Sequence, residues 1–255
     1  MKRQNWHLST IDPQAEKLAR EYGLGLEIAE YCTAVNLDSN LKETDRAVGE
    51  KMKSADRFIL HGPFNELFPC AIDPKARELA AFRYGQALKR ARAYGIGKVV
   101  LHAGFNPYLY YPCWFEEQSV AFWRAFGIPD GMTVCLENVL EEKPEMLASI
   151  LQAVGSPKLR MCLDVGHVNA YSKVPAEDWL RICAPWLSHF HIHNNDGSRD
   201  THSGLTDGTL PMEALLRLAE ELCPDATFTL EVPEAGASVR WLKDRGFLEE
   251  EPWNF

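Results

Sequence analysis

Short apolar or alternating runs recur along the chain, each followed by a longer stretch of helical periodicity, and the alternation repeats eight times. It predicts strands at 5–9, 24–30, 57–60, 98–101, 133–136, 159–163, 189–193 and 227–230. Helices are predicted at 43–54, 74–94, 144–154, 175–183, 211–222 and 237–243. Another runs to about Phe126, and one more is started by Asp12-Pro13. Strands alternating with helices on this scale predict βα units around a parallel sheet. Eight such units in 255 residues, with no Pro/Gly/Ser-rich linker, predict one (β/α)8 TIM-barrel domain over 1–255.

The strand ends sharpen this expectation. Most predicted strands close on a polar residue, and in a TIM barrel the C-terminal strand ends form the active-site mouth. If His61, His102, Glu137, Asp164, His193 and Glu231 point into that mouth, the residues two positions back form the next inward layer. Those are Ile59, Val100, Cys135, Cys162, His191 and Thr229. The residues between, Leu60, Leu101, Leu136, Leu163, Ile192 and Leu230, then all face the helices. Six apolar residues at the six outward positions support the barrel independently of the unit count.

Candidate chemistry concentrates in 189–202. Alternation puts His189, His191 and His193 on one face of a strand and Phe190 and Ile192 on the other, with Asp200 and His202 in the loop beyond. Imidazoles on an inward face are unfavourable to bury unless a metal or a hydrogen-bond partner takes up their nitrogens. Across the chain, nine residues at or just past strand ends are able to ligate a metal: His61, His102, Glu137, Asp164, His167, His193, Asp200, His202 and Glu231. Mixed imidazole and carboxylate donors suit Zn²⁺, Mn²⁺, Co²⁺ or Fe²⁺ better than Ca²⁺ or Mg²⁺. Glu137, Asp164, His193 and Glu231 would hold one ion with open positions, and the other five residues could complete a second and a third site.

Composition narrows the partners. The net charge of −9 opposes binding to a phosphate backbone, so a small-molecule substrate is favoured over nucleic acid. Seven cysteines, an odd number without a CxxC pair, read as reduced thiols. The N-terminus has no long apolar region after it, and no apolar run approaches the roughly 18 residues of a membrane span, so a soluble cytoplasmic protein is expected. Weaker candidates are Glu30 as a solvated loop carboxylate, Asp196 as an orienting partner of His193 or His202, and Glu141 and Glu142 as helix-entry charges. His7 and His189 are assigned to structure. The aromatic run 108–115 suits a substrate lid or packing against a loop or subunit; the tail after Glu249 suits packing outside or on a partner, so a homo-oligomer stays open.

Taken together, Ile59-Leu60-His61-Gly62-Pro63, Val100-Leu101-His102, Leu136-Glu137-Asn138, Leu163-Asp164-Val165-Gly166-His167, His193-Asn194-Asn195-Asp196, Asp200-Thr201-His202 and Leu230-Glu231 resemble the xylose isomerase-like TIM-barrel superfamily. That superfamily holds sugar and sugar-phosphate isomerases and epimerases, and also endonuclease IV. Resemblance to the epimerase branch implies one divalent ion on Glu137, Asp164, His193 and Glu231, with Glu137 and Glu231 moving the proton and His167 and Arg199 contacting substrate. Resemblance to endonuclease IV implies that all nine residues bind three zinc ions. Where that nuclease has a glycine-rich stretch after its Glu-Asn, this chain has Val139-Leu140-Glu141-Glu142-Lys143, and its loop at 31–40 carries no Lys or Arg. A metal-dependent isomerase or epimerase of a small sugar or sugar phosphate is therefore the leading expectation, and an apurinic-site phosphodiesterase the alternative.

Overall fold

Eight parallel strands hydrogen-bond in chain order and close on themselves, β1 (Trp6–Ser9) pairing with both β2 (Gly25–Ile28) and β8 (Thr227–Leu230). Between them run β3 (Phe58–His61), β4 (Lys98–His102), β5 (Thr133–Glu137), β6 (Leu159–Asp164) and β7 (Leu187–Ile192). The computed structural model describes residues 1–249, and they form a single (β/α)8 domain. The expectation for the tail beyond Glu249 lies outside the described residues.

Ten helices wrap the described barrel: α1 (Ala15–Tyr22), α2 (Ala34–Leu37), α3 (Leu41–Lys51), α4 (Pro74–Ala93), α5 (Pro112–Ala125), α6 (Glu145–Val154), α7 (Val165–Tyr171), α8 (Ala176–Cys183), α9 (Met212–Leu222) and α10 (Gly236–Asp244). Local chemistry fixes their ends. Asp73 accepts from Lys75 N at the start of α4, whose first residue is Pro74, while Gly155 at φ 65° turns the chain out of α6. Two helices were not predicted. The single turn of α2 interrupts the expected loop at 31–40, and α7 starts directly after β6 because the Asp164 carboxylate caps it, accepting from His167 N at 2.7 Å.

The two faces of the strands separate as their parity requires. Leu60, Leu101, Leu136, Leu163, Ile192 and Leu230 are buried in the main core under the helices. Ile59, Val100, Cys135 and Cys162 form their own small cluster inside the barrel. The second strand stops at Ile28, so Glu30 lies in the loop beyond it and Glu27 becomes the inward carboxylate. Strand β7 carries an irregularity: Met161 pairs with Leu187 but Cys162 pairs with His189, so Ser188 is the extra residue. That offset sets Asp164 level with His191.

Candidate metal centre

Glu137 occupies the middle of the mouth. Its Oε2 lies 3.1 Å from His61 Nε2 and 3.4 Å from His102 Nε2, and its Oε1 lies 3.1 Å from His191 Nδ1. One buried carboxylate therefore faces two groups at once. The first is His61, His102 and Glu137; the second is Glu137, Asp164, His191 and Glu231. Glu231 Oε2 approaches the same His191 Nδ1 to 3.0 Å.

The expected four-residue group contained His193; by distance, Glu137, Asp164 and Glu231 gather around His191. His193 sits past the end of β7 and belongs to a third group with His167, Asp200 and His202, although its Nε2 is 3.0 Å from Asp164. Parity could not separate the two histidines, since both point inward; depth is decided by the extra residue at Ser188. In the third group Asp200 Oδ2 is 2.9 Å from His202 Nε2 and 3.3 Å from His167 Nε2. The nine residues singled out in the sequence all fall into these three groups, and His191 makes a tenth.

The local fold serves this convergence. Asn138, next to Glu137, donates to Asp164 O and accepts from Asp164 N, locking the ends of β5 and β6 together. Gly166 leaves room for an imidazole: a Cβ there would lie 1.9 Å from His193 Cε1. Asn194 and Asn195 stitch the loop after β7, through Leu205 O, Leu210 N, Gly166 O and Gly197 N. His202 takes a left-handed backbone, φ 46°, unusual for a residue with a Cβ, and turns its ring so that Nδ1 meets Glu231 O at 2.8 Å.

The donor set fits a divalent cation. Atoms sharing one ion at roughly 2.0–2.2 Å sit roughly 3–3.5 Å apart, and the contacts of Glu137 with His61, His102 and His191 and of Glu231 with His191, 3.0–3.4 Å, are in that range. His193 Nδ1 and Asp200 Oδ1 are both buried without a hydrogen-bond partner although 3.5 Å apart, as two donors aimed at a common cation would be. Burial alone would raise the carboxylates, yet the surrounding imidazoles hold Glu137, Asp164 and Glu231 below the usual range. Burial also opposes charge on His167 and His202, but Asp164 and Asp200 hold the first up at about 10, and Asp200 and Glu231 the second at about 9. Burial pushes His102 down to about 4.

The family described as xylose isomerase-like TIM barrel matches residues 16–249. The chain belongs to that family. An uncharacterized protein of Methanocaldococcus jannaschii is 27% identical over 197 residues, 71% of this chain and 67% of its own. Among solved structures, the TTHB071 protein from Thermus thermophilus, soaked with ZnCl₂, superposes with a TM-score of 0.75 at 26% identity, covering 96% of this chain and 98% of that one. A D-tagatose 3-epimerase-like protein shares the fold, with a TM-score of 0.76, 21% identity and 97% of each chain covered.

In this xylose isomerase-like barrel the remaining candidates divide. A cavity of about 420 Å³ opens at the mouth, lined by the polar His61, Asp200, His202 and Glu231 and by the apolar Ile11, Ala29, Phe64 and Pro233. Arg199 is exposed in the loop before Asp200. Asp196 orients neither histidine; it is exposed, and its Oδ1 accepts from Ser198 N and Oγ as a turn residue. Glu141 is no helix-entry charge: it is buried, accepts from Val139 N at 2.6 Å, and burial pushes it up to about 7. Glu30 is partly buried and accepts from Thr10 Oγ1. The aromatic run splits, Tyr108 and Tyr111 being exposed while Phe115 packs on Phe105 in the core. Sequence reasoning missed Glu27, whose inward carboxylate sits directly behind His191; the signal was a lone acid between Leu26 and Ile28 on a buried strand. Among the described residues no helix is long and apolar enough to cross a membrane.

Proposed function

We propose that this protein is a divalent-metal-dependent isomerase or epimerase that moves a proton on a small sugar or sugar phosphate, through an ene-diolate, in the cytoplasm. The observation that carries this reading is the convergence of Glu137, from β5, and Glu231, just past β8, on His191 Nδ1 at 3.1 and 3.0 Å. Two carboxylates reaching one point from different strands can serve as the base that takes a proton from a substrate carbon and the acid that returns it. Glu137, Asp164, His191 and Glu231 would hold the ion, and their mixed donors suit Zn²⁺, Mn²⁺, Co²⁺ or Fe²⁺. The chemistry a bound ion supplies there is polarisation of two vicinal substrate oxygens, which acidifies the C–H between them. His167 and Arg199 are the candidate substrate contacts, and Ile11, Ala29, Phe64 and Pro233 the apolar walls that would limit water. The fold shared with a D-tagatose 3-epimerase-like protein accords with sugar epimerisation.

The test is exchange. Metal-supplemented protein in D₂O should exchange the α-proton of at least one ketose; no exchange across a panel of ketoses and their phosphates would sink the reading. Glu231→Gln should slow that exchange by roughly 10²–10⁴-fold, the range for a general acid or base, with soluble yield and melting midpoint retained. Loss of soluble protein would place Glu231 in a structural role.

One observation favours a second reading: Glu137 is shared by two groups and the third group adjoins them through Asp164 and His193. Such an arrangement could hold three ions for an endonuclease IV-like phosphodiesterase, where multiple ions activate water and neutralise the leaving oxygen. Three zinc ions per chain, together with incision of abasic duplex DNA at low salt, would establish it. One ion per chain and no incision would remove it.

A further inference from the structure

Below the mouth, inside the barrel, lies a hydrogen-bonded group that the proposed chemistry does not use directly. Glu27, from β2, is fully enclosed, and both of its oxygens are engaged. Oε1 lies 2.9 Å from His191 Nε2. Oε2 lies 2.9 Å from His189 Nε2 and accepts from Thr229 Oγ1 at 2.5 Å. His189 in turn rests through Nδ1 on Thr227 Oγ1 at 2.8 Å, and Lys98 Nζ donates to the same hydroxyl. The carboxylate is thereby fixed from one side by His189 and Thr229 and presents its free edge to one nitrogen of His191.

The other nitrogen of that ring, Nδ1, is the one that Glu137 and Glu231 approach. A neutral imidazole has one N–H and one lone pair, and which nitrogen carries the proton is set by the partner of the other. With an ion engaging Glu137 and Glu231 on the Nδ1 side, the acceptor behind Nε2 would keep the proton there and leave the Nδ1 lone pair toward the mouth. We infer that Glu27 is the positioning residue of this centre: by accepting the Nε2–H of His191 it fixes the tautomer and ring angle that aim Nδ1 at the space between Glu137, Asp164 and Glu231. This rests on the reading of those residues as a metal site. It adds a specific dependence on a carboxylate from β2 that meets His191 at the ring nitrogen opposite the one facing Glu137 and Glu231.

Partners of this kind contribute roughly 10–100-fold to metal affinity. The full chain, stripped with a chelator and titrated with Zn²⁺ against a chromophoric competitor, should show a loss of that size in Glu27→Gln, whose neutral amide is a weaker acceptor. Val100→Ala, in the apolar cluster of the same barrel, should lower the melting midpoint without moving Zn²⁺ affinity. Zn²⁺ affinity in Glu27→Gln within about threefold of wild type, at equal stoichiometry, would overturn the inference, since the lower bound of the expected loss is tenfold. Should Glu27→Gln not fold, ¹⁵N-histidine NMR of zinc-loaded wild type decides instead: Nε2-protonated His191 is expected, and an Nδ1-protonated ring overturns the assignment. Neither readout involves turnover. A protein that binds zinc as described but exchanges no α-proton would thus defeat the proposed activity and leave the role of Glu27 standing.

Discussion

Within the barrel, the side lined by β3 to β6 and the side lined by β7, β8 and β2 are built on different principles. On the first, Ile59, Val100, Cys135 and Cys162 touch one another and bring no carboxylate or imidazole into the layer. On the second, His189, His191, Thr229 and Glu27 form a closed hydrogen-bond set. The boundary is sharp, since Glu27 and Ile59 are register partners on adjacent strands. The apolar side is stabilised by area removed from water, at about 25 cal/mol per Å². The polar side gains little that way and holds only while each ionised group keeps its partner. Stability alone would favour aliphatic residues on both sides, so the polar side is best explained by what stands above it: His191 and the carboxylates of the mouth.

The largest expected effect from testing this contrast is on the polar side. His189→Leu conserves size roughly but removes one of the two imidazoles on Glu27, leaving Oε2 with Thr229 alone. Breaking a buried pair by removing one member costs about 3–5 kcal/mol, and retention of His191 puts the expected loss near about 3 kcal/mol, read as a lower urea midpoint. A midpoint equal to wild type would mean that the buried carboxylate does not depend on its partners, and the contrast would fail.

A smaller effect is expected where the polar side meets the loops. Gly166→Ala drives a methyl into the His193 ring, so the ring or the start of α7 must move, at about 1–3 kcal/mol for overpacking. The displaced group is the one formed by His167, His193, Asp200 and His202. If that group holds an ion of its own, zinc retained per chain after dialysis, measured by elemental analysis, should fall, while the share held by His191, backed by Glu27, is kept. Unchanged zinc content would show that His193 contributes nothing to retention.

These tests turn on features the sequence shows unevenly. The barrel was legible because the outward leucines, from Leu60 to Leu230, recur with strict strand parity, and that periodicity survives without knowledge of any contact. The nine candidate ligands were legible for a related reason: each ends or follows a strand, and strand ends share one rim. Depth along a strand was not. Placing His191 level with Asp164 needed the pairing of β6 with β7, where one extra residue at Ser188 resets the level, and no local pattern announces a bulge. Glu27 was passed over for Glu30 because the end of a four-residue strand is hard to fix from apolar runs alone. Glu141 followed the rule that acids favour helix starts, whereas its carboxylate folds back onto Val139 N and closes its own loop.

The smallest effect should come from the apolar side, and it serves as the control for the others. Ile59→Val deletes one methylene from a cluster whose neighbours, Val100, Cys135 and Cys162, cannot fully close the gap. The expected loss is about 0.5–1.5 kcal/mol, the usual range for this change in a packed interior. Zn²⁺ affinity should stay at the wild-type value, because Ile59 belongs to the apolar cluster and to none of the groups of donors at the mouth. Ile59 is nonetheless the register partner of Glu27, so this is also the place where the two sides could communicate. If Ile59→Val weakened zinc binding in proportion to its loss of stability, the metal centre would depend on the packing of the whole barrel and not on the carboxylate behind His191. A stability loss without a change in affinity would instead separate the two sides at a single pair of adjacent residues.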